Sequence, residues 1–350
     1  ADKSAPSTAH TWSPAAAAHY LDQREQWWQS WDRAQKDHET YCVSCHTQVP
    51  FALARPALRR ELGEQEPTAG EQAMLASIQK RVRLWNEVLP FYSDALYGAG
   101  KEVESRNAEA VLNAVILGGY DRRENHLTEI TRTAFDHAWV LQSGTGPDAG
   151  AWVWQNFDYT PWESKESQYY WATQFAIAVA REPVTYRRDP KITAKLALLT
   201  GYLRSHYDSQ PLLNKIVALS ASALYPDLLT THQRKVLLGL LYALQRSDGG
   251  WSLTALGTWK RRDKTPEKTR SDGFATGLMV LVLEETEANG RGKLRIARGI
   301  EWLCANQDKA TGAWTAWSLN KNRDPQSNVG QFMNDAATGY AVLALEEEKR

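Results

Sequence analysis

Apolar residues recur at helical spacing along most of this chain, and two kinds of helix alternate. Residues 236–244 and 296–303 carry charged positions between apolar ones, which is typical of a helix with one buried face. Residues 275–283 and 337–345 are apolar on nearly every side, which predicts helices that are buried all round. The alternation that marks strands is nearly absent. The pattern therefore predicts an all-α protein built from pairs of an outer and an inner helix.

A short pattern recurs three times between these helices. Each outer helix ends in a glutamine, a glycine turn follows, and a tryptophan comes next: Gln142 with Trp152, Gln245 with Trp251, and Gln307 with Trp314. The inner helix then opens with Ala-Thr, thirty residues after the glutamine in all three copies. A constant spacing with variable filling indicates repeated supersecondary units.

Two further units are less regular. Residues 196–203 and 213–224 predict another outer and inner helix, and residues 108–117 predict an earlier inner helix. With the inner helix that follows Trp152, this part of the chain contains five predicted inner helices. Ser271-Asp272 and Asn334-Asp335 lie where the N-caps of the last two are expected.

The run Gln-Arg-Ser-Asp-Gly-Gly-Trp at residues 245–251, with its following inner helix, resembles the QW-type repeats of squalene–hopene cyclases and protein prenyltransferases. The resemblance covers about residues 105–347. It implies an α/α toroid of about five to six helix pairs around a central cavity, with structural roles for the Gln and Trp residues. The Asp-x-Asp-Asp run of the cyclases and the pyrophosphate and zinc motifs of the prenyltransferases are absent from the sequence. The resemblance therefore extends to architecture and not to chemistry.

Cys42-Val43-Ser44-Cys45-His46 is the attachment signature of c-type haem. Each thiol adds to one haem vinyl group, and the imidazole of His46 becomes an axial iron ligand. The alternatives are a lone disulfide, a redox dithiol and half of a zinc site. A redox dithiol favours a βαβ context and a zinc site needs a second pair of ligands, and neither is evident. We predict one covalent haem c per chain.

The motif divides the chain into a flexible lead at residues 1–13, a helical haem-c-binding segment at 14–104 and the toroid at 105–350. The whole chain resembles exported bacterial proteins that join a Cys-x-x-Cys-His segment to such a toroid. Residues 15–33 and 73–88 predict helices. A further helix is expected to carry the motif and to end at Pro50, whose carbonyl would accept a hydrogen bond from His46. Arg55 is a candidate partner of a haem propionate.

The sixth iron ligand is left open. His38 would approach the same haem face as His46 on a continuous helix, so we set it aside. Met74, Tyr92 and His137 remain as candidates, and none is preferred. A closed iron favours electron transfer, whereas an open position favours small-molecule binding or peroxide chemistry.

Four carboxylates lie near the starts of predicted inner helices: Glu109, Glu166, Asp272 and Asp335. Paired carboxylates perform acid–base work in glycoside hydrolysis, but capping and helix-dipole pairing are the favoured interpretation here. The neighbouring aromatic residues line a cavity or, more simply, fill the core: Tyr169, Tyr170, Trp171 and Phe274. The basic loop at residues 259–270 is either solvated or docks an acidic redox partner.

The chain has 41 basic and 41 acidic residues, so its charge indicates no nucleic-acid partner. No apolar run is long enough to span a membrane. Haem c is attached outside the cytoplasmic membrane, and residues 1–6 resemble the end left by a signal peptidase, so we expect a periplasmic or secreted protein. Cys304 is expected to be a small buried hydrophobic residue.

These observations predict a c-type haem protein that performs electron transfer or haem-based redox chemistry with a partner protein. One alternative is a toroid related in function to terpenoid cyclases, or one that binds a carbohydrate or hydrophobic ligand, with the haem secondary. Another is a structural or assembly component. Whether the protein is an enzyme is left open.

Overall fold

A computed structural model describes residues 11–93, 96, 98–123, 126–287 and 292–347. Nearly all of the regular structure in these ranges is helical. The helices are α1 (Pro14–Ser30), α2 (Gln48–Glu61), α3 (Ala69–Arg83), α4 (Gly98–Arg123), α5 (Glu129–Leu141), α6 (Ser167–Ala180), α7 (Val184–Arg187), α8 (Pro190–His206), α9 (Leu212–Leu224), α10 (Thr231–Leu244), α11 (Gly273–Glu287), α12 (Lys293–Asn306) and α13 (Phe332–Glu347). Two short strands, β1 (Gln35–Lys36) and β2 (Thr40–Tyr41), form an antiparallel hairpin.

Within these described ranges, six helices close into an inner ring in the order α2, α4, α6, α9, α11 and α13, and α13 packs against α2. The helix before each of them lies outside: α1, α3, α5, α8, α10 and α12. The predicted all-α class and α/α toroid are confirmed.

Burial separates the two kinds of helix as the hydrophobic pattern predicts. Outer helix α10 buries only Leu237 and Leu241 of its 14 residues. Inner helix α11 buries an unbroken run from Gly273 to Val280. Inner helices are covered by neighbours on both sides and by an outer helix, so almost every position must be apolar.

The N-terminal segment belongs to the same ring. Helix α2 buries Phe51, Ala52, Ala54 and Leu58, and α1 packs against its outer side. The predicted boundary between residues 104 and 105 falls within α4. The five inner helices predicted from residue 105 onward are therefore joined by a sixth, α2, from the motif-bearing segment.

The repeated glutamines tie each outer helix to the next part of the ring. Each Nε2 donates to the carbonyl of its own glycine turn and to a second carbonyl in or beside another outer helix. The second acceptors are Lys195 for Gln142, Arg295 for Gln245 and Ser13 for Gln307, at 3.0, 2.9 and 3.0 Å. Because Ser13 caps α1, Gln307 joins the last helix pair to the first and closes the ring.

The repeated tryptophans are anchored in the same way. Trp152, Trp251 and Trp314 are buried, and each indole N–H donates to a carbonyl near the end of the preceding outer helix, at 2.6, 2.9 and 2.8 Å. The turn before Trp251 needs Gly249, whose φ is +94° and whose Cβ would lie 2.6 Å from the carbonyl oxygen of Arg298.

The segment before the motif differs from the prediction. Residues 38–46 form the tip of the β1–β2 hairpin and a loop, not a helix. Pro50 is the third residue of α2 rather than the end of a helix. The first turn of a helix leaves its backbone N–H groups unbonded, so a proline costs little there. The same residue that suggested a helix end therefore lies at a helix start.

Candidate functional site

The motif lies at one end of the ring. Three connections from outer to inner helices are long, at residues 142–166, 245–272 and 307–331, and the one at 207–211 is short. Connections from inner to outer helices are short. Consecutive helices run in opposite directions, so the long connections gather at the end where the inner helices start. The loop of residues 42–47, which precedes α2, lies at this end with them.

Two adjoining cavities open beside the motif. The motif cavity has a volume of about 670 Å³, and Cys42, Ser44 and His46 are part of its wall. The loop cavity has a volume of about 420 Å³, and Lys321, Arg323 and Met333 are part of its wall. The residues that line both are Trp31, Arg33, His46, Tyr159, Glu163 and Phe332. His46 thus lies where the two cavities meet.

The two cysteines of the motif are buried and form no disulfide. Burial raises the pKa of the Cys42 thiol to about 11, and it holds the pKa of the Cys45 thiol well above its usual value. The carboxylate of Glu163 lies close enough to add to both shifts. A redox dithiol works through a thiolate with a lowered pKa, so these neutral thiols do not match that alternative.

The loop that carries the cysteines is anchored by the backbone. The indole N–H of Trp28 donates to the Cys42 carbonyl at 2.8 Å, and the Cys42 N–H donates to Ala34 at 2.8 Å. The Ser44 hydroxyl accepts from the N–H of Gln48 at 3.0 Å, at the start of α2. The motif is therefore held between α1, the hairpin and α2.

The imidazole of His46 has a defined orientation. It stacks on Phe332 with ring centroids 3.7 Å apart, and Trp28 meets it edge-on at 5.4 Å. Its Nδ1 lies 2.9 Å from the Thr47 hydroxyl, which itself donates to Asp335 at 2.7 Å. Because the hydroxyl proton goes to Asp335, Nδ1 must be the donor to Thr47. The lone pair is then on Nε2.

The charge state of His46 agrees with this arrangement. Burial, together with the cations Arg24 and Arg323, lowers the pKa of the imidazole to about 3. Nε2 makes no hydrogen bond to any described residue. A neutral imidazole whose other nitrogen is hydrogen-bonded is the form that binds a metal.

The four predicted carboxylates are structural or distant from His46. Glu109 is buried and paired with Arg81, and Glu166 is exposed. Asp272 caps α11, as predicted, by accepting from Ala275 N at 2.9 Å. Asp335 is not an N-cap, because α13 begins three residues earlier; it accepts from Arg24 at 2.7 Å and from Tyr20 at 2.7 Å.

The structure separates the candidates for iron and propionate contacts. Arg55 is buried and bonded to Asp22 and Glu64, and it lines neither cavity, so its predicted contact with a propionate finds no support. Met74 is buried in α3, and His137 stacks on Trp85 at 4.4 Å. Tyr92 lines the motif cavity and is the one of the three candidate sixth ligands that does so.

Other predicted features have structural roles. The aromatic residues near the inner-helix starts are core residues: Tyr169, Tyr170, Trp171 and Phe274. In the basic loop, Arg261 donates to the Ser318 carbonyl and Arg262 to the Phe157 carbonyl, so both connect neighbouring loops. Cys304 is partly exposed rather than buried.

Tyr159, Glu163 and Arg323 were not found from the sequence. Glu163 has no hydrogen bond or ion pair through its carboxyl group with any residue the structure describes, and burial raises its pKa to about 7. These residues lie in long loops without a motif or periodic pattern, so no local signal marked them. Their importance comes only from their position beside His46.

No protein-family model matches the sequence, and a search of curated protein sequences found no match. A solved structure of a glycosidase variant is similar in fold, with a TM-score of 0.53. The two chains are 11% identical over 95% of this chain and 97% of the other. At this identity the similarity shows the fold alone.

No helix in the described ranges has both the length and the apolarity needed to cross a membrane. No group of three or more His, Cys, Asp and Glu side chains in these ranges is arranged to hold a metal ion.

Proposed function

We propose that this chain is an exported c-type haem protein, with haem bound covalently through Cys42 and Cys45 and with His46 Nε2 as an axial ligand. The observation that carries the proposal is a neutral imidazole with a free Nε2 that lines, together with Cys42, a cavity of about 670 Å³. The second free thiol, Cys45, is buried directly behind this wall in the same loop. When bound, the haem would supply a redox-active iron. The place of haem attachment would make the protein periplasmic or secreted.

Several side chains fit such an occupant. Trp28, Trp31 and Phe332 provide aromatic walls around His46. Arg33 and Lys36 line the same cavity and would neutralise propionate groups, in place of Arg55. Hydrogen bonding of Nδ1 through Thr47 to Asp335 would hold the ring and raise the basicity of Nε2.

The wall of the motif cavity supports an exchangeable sixth position. Among the described residues it contains no methionine and no second histidine, whereas the oxygen-bearing side chains of Tyr92, Tyr159 and Glu163 line it. An iron without a firm second protein ligand favours redox chemistry on a small molecule over simple electron transfer. A protein partner would supply or remove the electrons.

The decisive experiment is to express the chain with a cytochrome c maturation system and test for covalent haem. We expect acid–acetone extraction to leave the colour on the protein and mass spectrometry to show one added haem. Cys42→Ala should leave a single, weaker attachment, and His46→Ala should alter the spectrum. Cys304→Ala is the matched control and should behave as wild type. A colourless protein, or colour that passes into the solvent, would overturn the proposal.

A second candidate is carbohydrate binding at the same end of the ring. A separate cavity of about 630 Å³ is lined by Trp259 together with polar residues: Asp158, Glu166, Asn214, Lys260 and Asn320. An aromatic face beside hydrogen-bonding groups is suited to a sugar, and the fold is shared with a glycosidase. Titration calorimetry with a panel of oligosaccharides tests this, with Trp259→Ala expected to remove any binding.

A further inference from the structure

Glu163 is a half-buried carboxylate held in place by its own loop. Its N–H donates to the Tyr159 carbonyl at 2.8 Å, and its carbonyl accepts from the Tyr159 N–H at 2.9 Å. This pairing fixes the backbone of a tight turn at the wall shared by the two cavities. The carboxyl group itself makes no hydrogen bond or ion pair with a described residue.

Arg323 lines the loop cavity together with Glu163, and its side chain is also unpaired among the described residues. Its guanidinium makes no hydrogen bond or ion pair with any residue in the described ranges, although it is half-buried and its pKa is lowered by burial. Its charge still influences Glu163 and His46, so the three groups are near one another.

Half-buried opposite charges normally pair, because burial makes an isolated charge costly. Glu163 and Arg323 line the same cavity without forming such a pair. The arrangement leaves a proton acceptor and a cationic donor facing a space in which a small polar molecule could bind to both.

We propose that Glu163 and Arg323 form a hydrogen peroxide site beside the iron position, so that the protein reduces peroxide. This inference rests on the proposed haem function. Peroxide is a small diprotic molecule that can donate to the carboxylate and accept from the guanidinium at the same time. An organic substrate lacking an acidic proton would have no use for the carboxylate.

The reaction balances with an external donor of two electrons. The Glu163 carboxylate accepts a proton from one peroxide oxygen and passes it to the other. The O–O bond breaks, and the oxygen that receives the proton leaves as water, with Arg323 stabilising its developing negative charge. Overall, one peroxide, two protons from solvent and two electrons from an external one-electron donor give two waters, and bound haem would pass the electrons to the remaining oxygen.

Glu163 is suited to this role by its acidity as well as its position. With a pKa raised to about 7, the carboxylate is a stronger base than an exposed glutamate and is still substantially ionised at neutral pH. The rate of reaction with peroxide should therefore fall as the pH decreases below about 7, because the carboxyl group becomes protonated.

The test compares haem-loaded wild type with Glu163→Gln and Arg323→Gln in stopped-flow reactions with hydrogen peroxide and ferrocyanide. We expect Glu163→Gln to slow the reaction by about 100-fold or more and to remove its pH dependence. Arg323→Gln should slow it while keeping that pH dependence. The matched control is Glu301→Gln, which alters an exposed carboxylate on outer helix α12.

Cyanide association supplies a readout apart from turnover. Hydrogen cyanide must lose its proton to bind ferric iron, so Glu163→Gln should also slow cyanide binding while the covalent haem content stays at the wild-type level. A haem-loaded Glu163→Gln protein that matches wild type in both reactions would overturn this inference alone. A wild-type protein that carries haem but does not consume peroxide would do the same. A wild-type protein without covalent haem would overturn the proposed function, and this inference with it.

Discussion

Thr47 donates its hydroxyl proton to Asp335 at 2.7 Å, across 288 residues of sequence. That bond joins the motif loop to the last inner helix of the ring. It also determines which nitrogen of the neighbouring His46 carries a proton, because the hydroxyl oxygen is then available only as an acceptor. Asp335 is in turn held by Arg24 and Tyr20 of α1.

This relationship predicts the effect of Thr47→Val. The substitution keeps the shape of the side chain and removes both hydrogen bonds. We expect a loss of about 1–3 kcal/mol in the free energy of unfolding, since buried polar groups lose a partner. The midpoint potential of bound haem should rise, because a less polarised imidazole is a weaker donor to the iron.

Urea denaturation and redox potentiometry measure the two effects. Thr47→Ser is the control, since it retains the hydroxyl and should remain close to wild type in both. Equal behaviour of the valine and serine variants would show that the hydroxyl has no such role.

The hydrogen bonds of the repeated glutamines predict a larger loss of stability at Gln245 than at Gln307. Gln245 is buried and donates to two carbonyls at 2.8 and 2.9 Å. Gln245→Ala should lower the free energy of unfolding by about 1–3 kcal/mol, because both acceptors lose their donor. Gln307→Ala should cost less, since water can replace its more exposed bonds, but it should speed amide exchange at the start of α1. Denaturation curves and hydrogen exchange measure these effects, and a greater loss of stability in Gln307→Ala than in Gln245→Ala would contradict the prediction.

The buried tryptophan of the repeat at residues 245–251 predicts a larger loss of stability. Trp251 is fully buried, and its indole donates to the Leu241 carbonyl at 2.9 Å. Trp251→Ala should destabilise the protein by about 3–5 kcal/mol, the range for deleting a large buried aromatic side chain. Val236→Ala on the exposed side of α10 should change stability by less than about 0.5 kcal/mol. Thermal or urea unfolding followed by circular dichroism provides the comparison.

Glu182 predicts a dependence of stability on pH away from the candidate site. It is buried, Oε2 has no hydrogen-bond partner in the described part of the chain, and burial raises the pKa from 4.5 to about 7. The folded state therefore favours the protonated group, and this stabilisation is complete below the unfolded pKa and is lost as the pH rises through about 7.

Between pH 5 and pH 8, wild type should lose about 1–3 kcal/mol more of its free energy of unfolding than Glu182→Gln. The exposed Glu301→Gln should keep the wild-type profile. Urea titrations at several pH values measure this difference, and parallel profiles for all three proteins would exclude Glu182 as the cause.

Ligand binding tests the sixth iron position. No methionine or second histidine in the part of the chain that the structure describes lines the motif cavity, so reduced haem protein should bind carbon monoxide readily, with a clear spectral change. Met333 lines the neighbouring loop cavity, so its thioether has to be tested as a sixth iron ligand. Met333→Ala should leave the carbon monoxide affinity within about twofold of wild type. A spectrum of wild type that does not respond to carbon monoxide would favour a closed iron and simple electron transfer.

Local sequence patterns were sufficient to predict most of the architecture. Helical periodicity identified the inner helices α9, α11 and α13, and the spacing from Gln245 and Gln307 showed that the units repeat. Periodicity is informative here because an inner helix must be apolar on all sides, so a continuous stretch of the sequence is apolar. The motif at residues 42–46 could be found for the same reason, since its chemistry depends on neighbours in sequence.

Other features depended on contacts between distant segments. Pro50 suggested a helix end because a proline is compatible with either end of a helix, and only the packing of α2 in the ring decided between them. Arg55 is near the motif in sequence, but its ion pairs turn it toward Asp22 and Glu64. Nearness in sequence therefore did not reveal these ion pairs.

By itself, the sequence determined the helix pairs, the repeat and the run of two cysteines and a histidine. Tertiary structure alone decided that α2 completes the ring, that Thr47 meets Asp335, and that Glu163 and Arg323 face the cavities beside His46. These residues lie in separate loops or helices that come together only when the inner helices close. Such contacts depend on how all the helices pack together, and a pattern in a short stretch of sequence contains no information about them.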